Sequence, residues 1–394
     1  MTGAVRRASH ATAARALRVV AWAAIALPAI GGCYVPRAAR VAPITAPGFK
    51  LEKDEAFLWR EAAELDARAR KSGAVLDDPA LERYLTGVAR RLAPRAALAR
   101  LDVRVRIIET PALAAFTTPD GAIFVSMGLL ARLDNEAQLA MVFGHELTHA
   151  VNRHAIVEYR TYKHGADMNA ALPFGLGTLG TLAAVTGYSR DLEQEADEQG
   201  VALLAAGGWD VREAPRPFEH LAAWVKDEGI EEPFTFASHP KLADRIASTR
   251  ALLEERYRGR QQGAQGTNEY RQAVMGIVLA TARLDLAGGR FGPATRGAEK
   301  YIAAHPKSGA ATAVLADAAR QQGDGAHALE LFRRAVALDP SCAEAQRGLG
   351  RALAARGERG GARAALQAYL RLAPRAVDRA WIEGELAEMD RRNP

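Results

Sequence analysis

Apolar residues recur three and four positions apart along most of this chain, the spacing of helices that bury one face. Lys53 to Lys71 predicts one such helix. Asp78-Pro79 reads as an N-cap followed by proline at the first helical position, and Leu81, Leu85, Val88 and Leu92 then mark a single apolar face. The period changes at Val103, Val105 and Ile107, which alternate with Arg104 and Arg106 as in a half-buried strand. Pro119-Asp120-Gly121 predicts a turn and Ile123 to Ser126 a second strand. Asp134 or Asn135 starts the next helix, expected to run to about His154. Polar helices are expected up to about Glu255, and Gly259 to Thr267, with Gln261, Gln262 and Gln265, reads as a linker.

Two apolar stretches need separate treatment. Val19 to Ile30 follows a basic segment ending at Arg18, is too short for a comfortable membrane span, and runs into Ile30-Gly31-Gly32-Cys33. This resembles a bacterial lipobox, which predicts a signal peptide over 1–32 and lipid on Cys33. The Pro-rich 33–50 that follows reads as a tether. The uncharged segment 169–187 is interrupted by Pro173 and several glycines, so a buried or lid-like helical hairpin is favoured over a membrane span.

The last third repeats. Pro306, Pro340 and Pro374 keep a spacing of 34 residues, and so do Gly289, Gly323 and Gly357, and Ala294, Ala328 and Ala362. That is the tetratricopeptide length: helix, turn at the glycine, second helix, proline stop. Phe332 and Leu349-Gly350 also fit, whereas Thr312 and Gln346 stand where a large aromatic is usual. Such an array exposes a concave surface suited to a peptide or protein partner.

Composition narrows the function. The net charge is +6, but Arg6, Arg7, Arg15 and Arg18 lie in the first 32 residues, leaving 48 basic against 46 acidic groups in the rest. With no basic block or nucleic-acid motif, no nucleic-acid partner is expected. Two cysteines exclude a disulfide scaffold and a cysteine-based metal site, and with Cys33 lipidated Cys342 is expected as a buried apolar residue in a helix.

The chemistry centres on Gly144-His145-Glu146-Leu147-Thr148-His149. Histidines four apart share one face of a helix and can reach one zinc ion, with Glu146 beside it able to take a proton from water. Glu193 and Asp197 are also four apart, so one could ligate while the other orients a ligand histidine. Glu195 falls on the other side of that helix and reads as a solvated charge. His154 is no co-ligand on helical geometry and is expected to be structural or superficial, and no partner is evident for His164, His220, His305 or His327.

His-Glu-x-x-His followed by Ser189-Arg-x-x-Glu-x-x-Ala-Asp197 resembles the gluzincin metallopeptidases of the HtpX and CaaX-protease type, and the repeats make the architecture similar to the periplasmic BepA-like branch. The resemblance implies an α+β zincin-like catalytic domain, mostly helical with a small sheet, over 51–258. An all-α tetratricopeptide-like domain would follow over 268–394. It further implies one zinc per chain on His145, His149 and Glu193, Glu146 as general base, and Asp197 behind the ligands. His239-Pro240 with Arg245 resembles a late element of such domains, so His239 is expected in the cleft, aiding catalysis or capping the metal. The strand 123–126 is expected to form the cleft edge, where substrate adds as an extended strand. The expected function is endopeptidase quality control of unfolded or misassembled envelope proteins in the periplasm. The protein would be tethered to the outer membrane through lipid, with the repeats docking substrate or assembly machinery. The alternative is a chaperone or assembly scaffold with a residual site.

Overall fold

The computed structural model describes residues 41–163, 188–229 and 242–391. The expected signal peptide, Cys33, the 169–187 segment and His239 lie outside them. Helix α1 (Lys53–Lys71) and helix α2 (Pro79–Leu92) form where the periodicity placed them, and the Asp78 carboxylate accepts from the Ala80 and Leu81 amides. A one-turn helix α3 (Arg95–Leu98) leads to strand β1 (Arg104–Ile108). Strands β2 (Ala115–Thr117) and β3 (Ala122–Ser126) complete the sheet, in the order β1-β3-β2. Strand β3 pairs parallel with β1 and antiparallel with β2, and every one of its residues is buried.

This corrects one expectation. Strand β3 is the centre of the sheet, with backbone pairing on both sides, so it cannot accept an added strand. Strand β2 is the edge on that side.

Helix α4 (Met127–Arg132) is capped by Ser126, whose hydroxyl accepts from the Leu129 amide. Helix α5 (Glu136–Val151) carries the histidine motif and is capped by Asn135, whose side chain accepts from the Gln138 amide. Helix α5 is buried almost all round, the mark of a central core helix rather than a surface one. It stops at Val151 rather than at His154. Arg153 takes a left-handed φ of 61°, and His154 opens a new helix, α6 (His154–Lys163). Helices α7 (Arg190–Ala206), α8 (Arg216–Glu228) and α9 (Leu242–Arg256) follow.

The repeats form helices α10 (Thr267–Ala287), α11 (Phe291–Ala304), α12 (Gly309–Gln321), α13 (Gly325–Leu338), α14 (Ala343–Ala355), α15 (Arg359–Leu372) and α16 (Arg379–Arg391). Gly289, Gly323 and Gly357 all have positive φ, between 75° and 90°, where a side chain would be strained. The repeated alanines 294, 328 and 362 are fully buried. Thr312 and Gln346, in place of the usual aromatic, turn back to the backbone: Thr312 donates to Ser308 O and Gln346 to Pro340 O. Cys342 is buried as expected, but as the N-cap of α14 rather than inside it.

The segment expected as a linker is tied down at its C-terminal end. Ala264 exchanges backbone hydrogen bonds with Gly208 and Asp210, and Gln265 O accepts from the Ala137 amide at the start of α5. Helix α10 continues this attachment. Tyr270, Val274, Ile277 and Val278 belong to the same hydrophobic core as Val105, Leu130 and Phe143. Tyr270 donates to Leu130 O at 2.6 Å, Arg132 meets Asp285 at 3.0 Å, and the Lys300 ammonium caps α4 through Ala131 O at 3.0 Å and Leu133 O at 2.7 Å. Among the described residues no helix is long and apolar enough to cross a membrane.

Candidate metal centre

Helices α5 and α7 cross where two glycines meet. A methyl group at Gly144 would stand 3.0 Å from Gly200 O, and one at Gly200 would stand 3.0 Å from the His145 amide nitrogen. This close approach lets a carboxylate from the first turn of α7 reach the histidines of α5. Among the described residues, His145, His149 and Glu193 are the group able to hold a metal ion. The two Nε2 atoms stand 3.1 Å apart, and the Glu193 oxygens lie 3.5 Å from His145 and 3.4 Å from His149. A tetrahedral zinc with bonds of about 2.0–2.1 Å separates its donors by about 3.3 Å, so the triangle has the size of one such ion. The donor chemistry agrees. Each imidazole has its Nδ1 engaged elsewhere, so electron pairs from two nitrogens and a carboxylate converge, and a cation reconciles them.

Asp197, one turn beyond Glu193, accepts from His145 Nδ1 at 2.9 Å, while the Glu193 oxygens face the two Nε2 atoms. Arg245 of α9 grips Asp197 through Nε at 2.9 Å and Nη2 at 2.6 Å, and its guanidinium stacks 4.2 Å over Phe218. Burial alone would raise the Asp197 carboxyl. The Arg245 charge and the His145 hydrogen bond outweigh it and hold that pKa well below the usual carboxylate range. In the sequence Arg245 stood only as the arginine following His239-Pro240 five residues on, and its position behind the site comes from the packing of α9.

Three further residues were missed or misjudged. His154 is 1% exposed, neither superficial nor on α5, and its Nδ1 lies 2.8 Å from His149 Nδ1. Tyr188, just ahead of the Ser-Arg of α7, stacks on the His149 ring with centroids 3.9 Å apart. Burial and the nearby charges of Glu146 and Glu193 push its phenol pKa up, keeping it a neutral hydroxyl. Glu195 is half-exposed but not merely solvated, since it accepts from Asn152 at 2.7 Å and from Gln199 at 2.9 Å. Among the histidines expected without partners, His220 meets Asp134 at 3.2 Å and His305 stacks on Tyr301. Glu146 is buried beside His145 on α5. A small cavity next to His149 is walled by Thr117, Thr118, Pro119, Arg153 and Tyr188, placing the end of edge strand β2 beside the metal centre.

Residues 79–253 match peptidase family M48, and residues 279–341 and 314–377 match the tetratricopeptide repeat. The chain carries an M48 peptidase domain followed by tetratricopeptide repeats. It is 29% identical over 233 residues to the mitochondrial metalloendopeptidase OMA1 of Arabidopsis thaliana, covering 56% of this chain and 47% of that protein. It is 26% identical over 198 residues to the beta-barrel assembly-enhancing protease of Escherichia coli (46% and 40%), and 28% over 183 residues to OMA1 of Schizosaccharomyces pombe (44% and 53%). The chain thus spans about half the length of the relatives it matches. The described part of that match is a mostly helical α+β domain in which the helix carrying His145 and His149 crosses the helix carrying Glu193.

Proposed function

We propose that this protein is a zinc-dependent endopeptidase acting on unfolded or misassembled envelope proteins. The observation that carries the reading is the convergence of His145 Nε2, His149 Nε2 and a Glu193 carboxylate within 3.1–3.5 Å, with the buried Glu146 beside them. When bound, zinc supplies positive charge that polarises a scissile carbonyl and makes water more acidic. Glu146 takes the proton from the attacking water and returns it to the leaving amine. Asp197, braced by Arg245, keeps the His145 proton on Nδ1 so that Nε2 faces the site. An extended substrate segment adds along β2, the edge of the sheet, bonding through its backbone and favouring unfolded chains over folded ones.

The lipobox-like run ending at Cys33 supports a periplasmic protein tethered to the outer membrane through lipid on that cysteine. The similarity to the beta-barrel assembly-enhancing protease of E. coli, together with the repeats, supports substrates or machinery of outer-membrane assembly. His239 is proposed as a cleft histidine that either aids catalysis or caps the metal. His239→Ala slows turnover in the first case and opens the metal to exogenous ligands in the second, and a variant unchanged in both removes the residue from the site.

The deciding experiment compares wild type with Glu146→Gln on casein and on an unfolded outer-membrane protein. Removal of a general base is expected to slow cleavage about 10²–10⁴-fold while the fold and metal content stay intact. Equal cleavage by both would refute the assignment. The tetratricopeptide array supports the alternative of an assembly scaffold. Full complementation of a deletion strain by Glu146→Gln would favour that reading.

A further inference from the structure

The two imidazoles of the centre are backed by different chemistry. Behind His145 stands a carboxylate, Asp197, held in turn by Arg245. Behind His149 stands another imidazole: the Nδ1 atoms of His149 and His154 are 2.8 Å apart. Two facing ring nitrogens form a hydrogen bond only when one carries the proton and the other a lone pair. His149 aims Nε2 at His145 and Glu193, so its lone pair points there and its proton sits on Nδ1. His154 therefore accepts through Nδ1 and carries its own proton on Nε2, which faces the Glu195 carboxylate at 3.5 Å.

We infer that His154 is a positioning residue for His149, a neutral imidazole acceptor that fixes the ligand's tautomer and ring plane. The inference rests on the metal reading of this site. It assigns the chain a function for the break between α5 and α6. Were α5 to continue, His154 would point well away from His149. The left-handed Arg153 turns the chain back, and a residue with a side chain holds that conformation only when its surroundings enforce it. They do so here. The Glu55 carboxylate of α1 takes two hydrogen bonds from the Arg153 guanidinium, Ala42 O accepts a third at 3.0 Å, and the Phe49 ring lies 4.9 Å from it. Ile44 also donates to Val151 O at the end of α5. The strap ahead of α1, together with α1 itself, thus sets the turn that delivers His154. Tyr188, stacked on His149, fixes the same ring from its face.

The test is zinc competition against a chromophoric chelator on the purified chain. Wild type is expected to bind one zinc. His154→Leu removes the acceptor and is expected to weaken binding about 10–100-fold, the usual effect of losing a ligand's hydrogen-bond partner. His154→Asn, whose amide oxygen reaches the place of Nδ1, is expected to recover most of that loss. Cobalt-substituted protein gives a second readout, with the visible bands of His154→Leu shifted and those of His154→Asn close to wild type. A His154→Leu protein that binds zinc within twofold of wild type overturns the inference while leaving the metal reading intact. So does an equal loss in Leu and Asn that only follows a lowered melting temperature of the metal-free protein. A wild type that binds no zinc overturns both. If His154→Leu does not fold, ring-nitrogen NMR of zinc-loaded, 15N-histidine-labelled wild type decides. Protonation of His154 on Nε2 supports the inference, and protonation on Nδ1 overturns it.

Discussion

The M48 domain and the repeat array are both mostly helical, yet they are held together in different ways. The first has one large core running from Ile44 through Leu81, Phe143 and Trp209 to Val278, with a small satellite of Leu58, Ala62 and Ile156, and it buries Glu55, His149, Arg153, His154, Glu193, Asp197 and Arg245. The second has a series of small separate clusters, such as Ala316, Ala328 and Phe332, or Leu366, Tyr369 and Ile382, each bridging neighbouring helices only. Buried charges are tolerated where a continuous core fixes every partner in place, because an unpaired one is heavily penalised. An array stabilised by nearest neighbours has no such redundancy and carries few buried charges. Helix α10 belongs to both, which makes it the mechanical link between them.

The sharpest break in this contrast is expected at the crossing of α5 and α7. Gly200→Leu drives a branched side chain into the His145 backbone, separates the helices, and should abolish both stoichiometric metal binding and cleavage, measured by elemental analysis and a casein assay. The matching change in the array is Phe332→Ala. It empties a fully buried site against Gly348 and should cost about 3–5 kcal/mol in denaturant unfolding of the array. Zinc affinity should stay within twofold. A large fall in zinc affinity would show that the two regions are not independent.

Next in size is Asp197→Ala, expected to weaken zinc binding about 10–100-fold by freeing the His145 ring and leaving Arg245 without its carboxylate. Lys300→Met uncaps α4 and should cost about 1–3 kcal/mol, because the carbonyls it served lose a charged donor. Its signature is separation of a single thermal transition into two, seen by calorimetry. The smallest effect is one of pH. Burial would raise the Asp66 carboxyl, but hydrogen bonds and charge from Arg106 and Arg104 lower it overall. A lowered folded-state pKa means that its contribution is complete above the ordinary carboxylate range. It is lost as pH falls below about 4 and through the folded value. Asp66→Asn should flatten the acid limb of stability below pH 4 and leave the zinc affinity at pH 7 unchanged.

Much of the site could be read from local pattern. His145 and His149 share a face by helix geometry alone, and Asp78, Asn135 and the three repeat glycines behave as their residue types require. Other features went unread for an identifiable reason. The period of α5 runs without interruption through His154, and nothing local marks Arg153 as the turning point, because the groups that hold it come from Ala42, Phe49 and Glu55. The strand over Ile123 to Ser126 was recognisable, but its central place was not, since strand order depends on which distant segments pair with it. The composition of 259–267 gave no hint that backbone bonds from Gly208, Asp210 and Ala137 would hold Ala264 and Gln265.

The amino-acid order alone determined the helix register of the motif, the 34-residue period and the caps, because each depends on backbone geometry within a turn or two. Spacing left Glu193 and Asp197 interchangeable; the folded chain turns Glu193 to the two Nε2 atoms, and it alone decided that Arg245 braces Asp197 and that His154 doubles back onto His149. Those outcomes depend on how segments 40 to 100 residues apart pack together, and in a close-packed interior a shift of one ångström breaks such contacts.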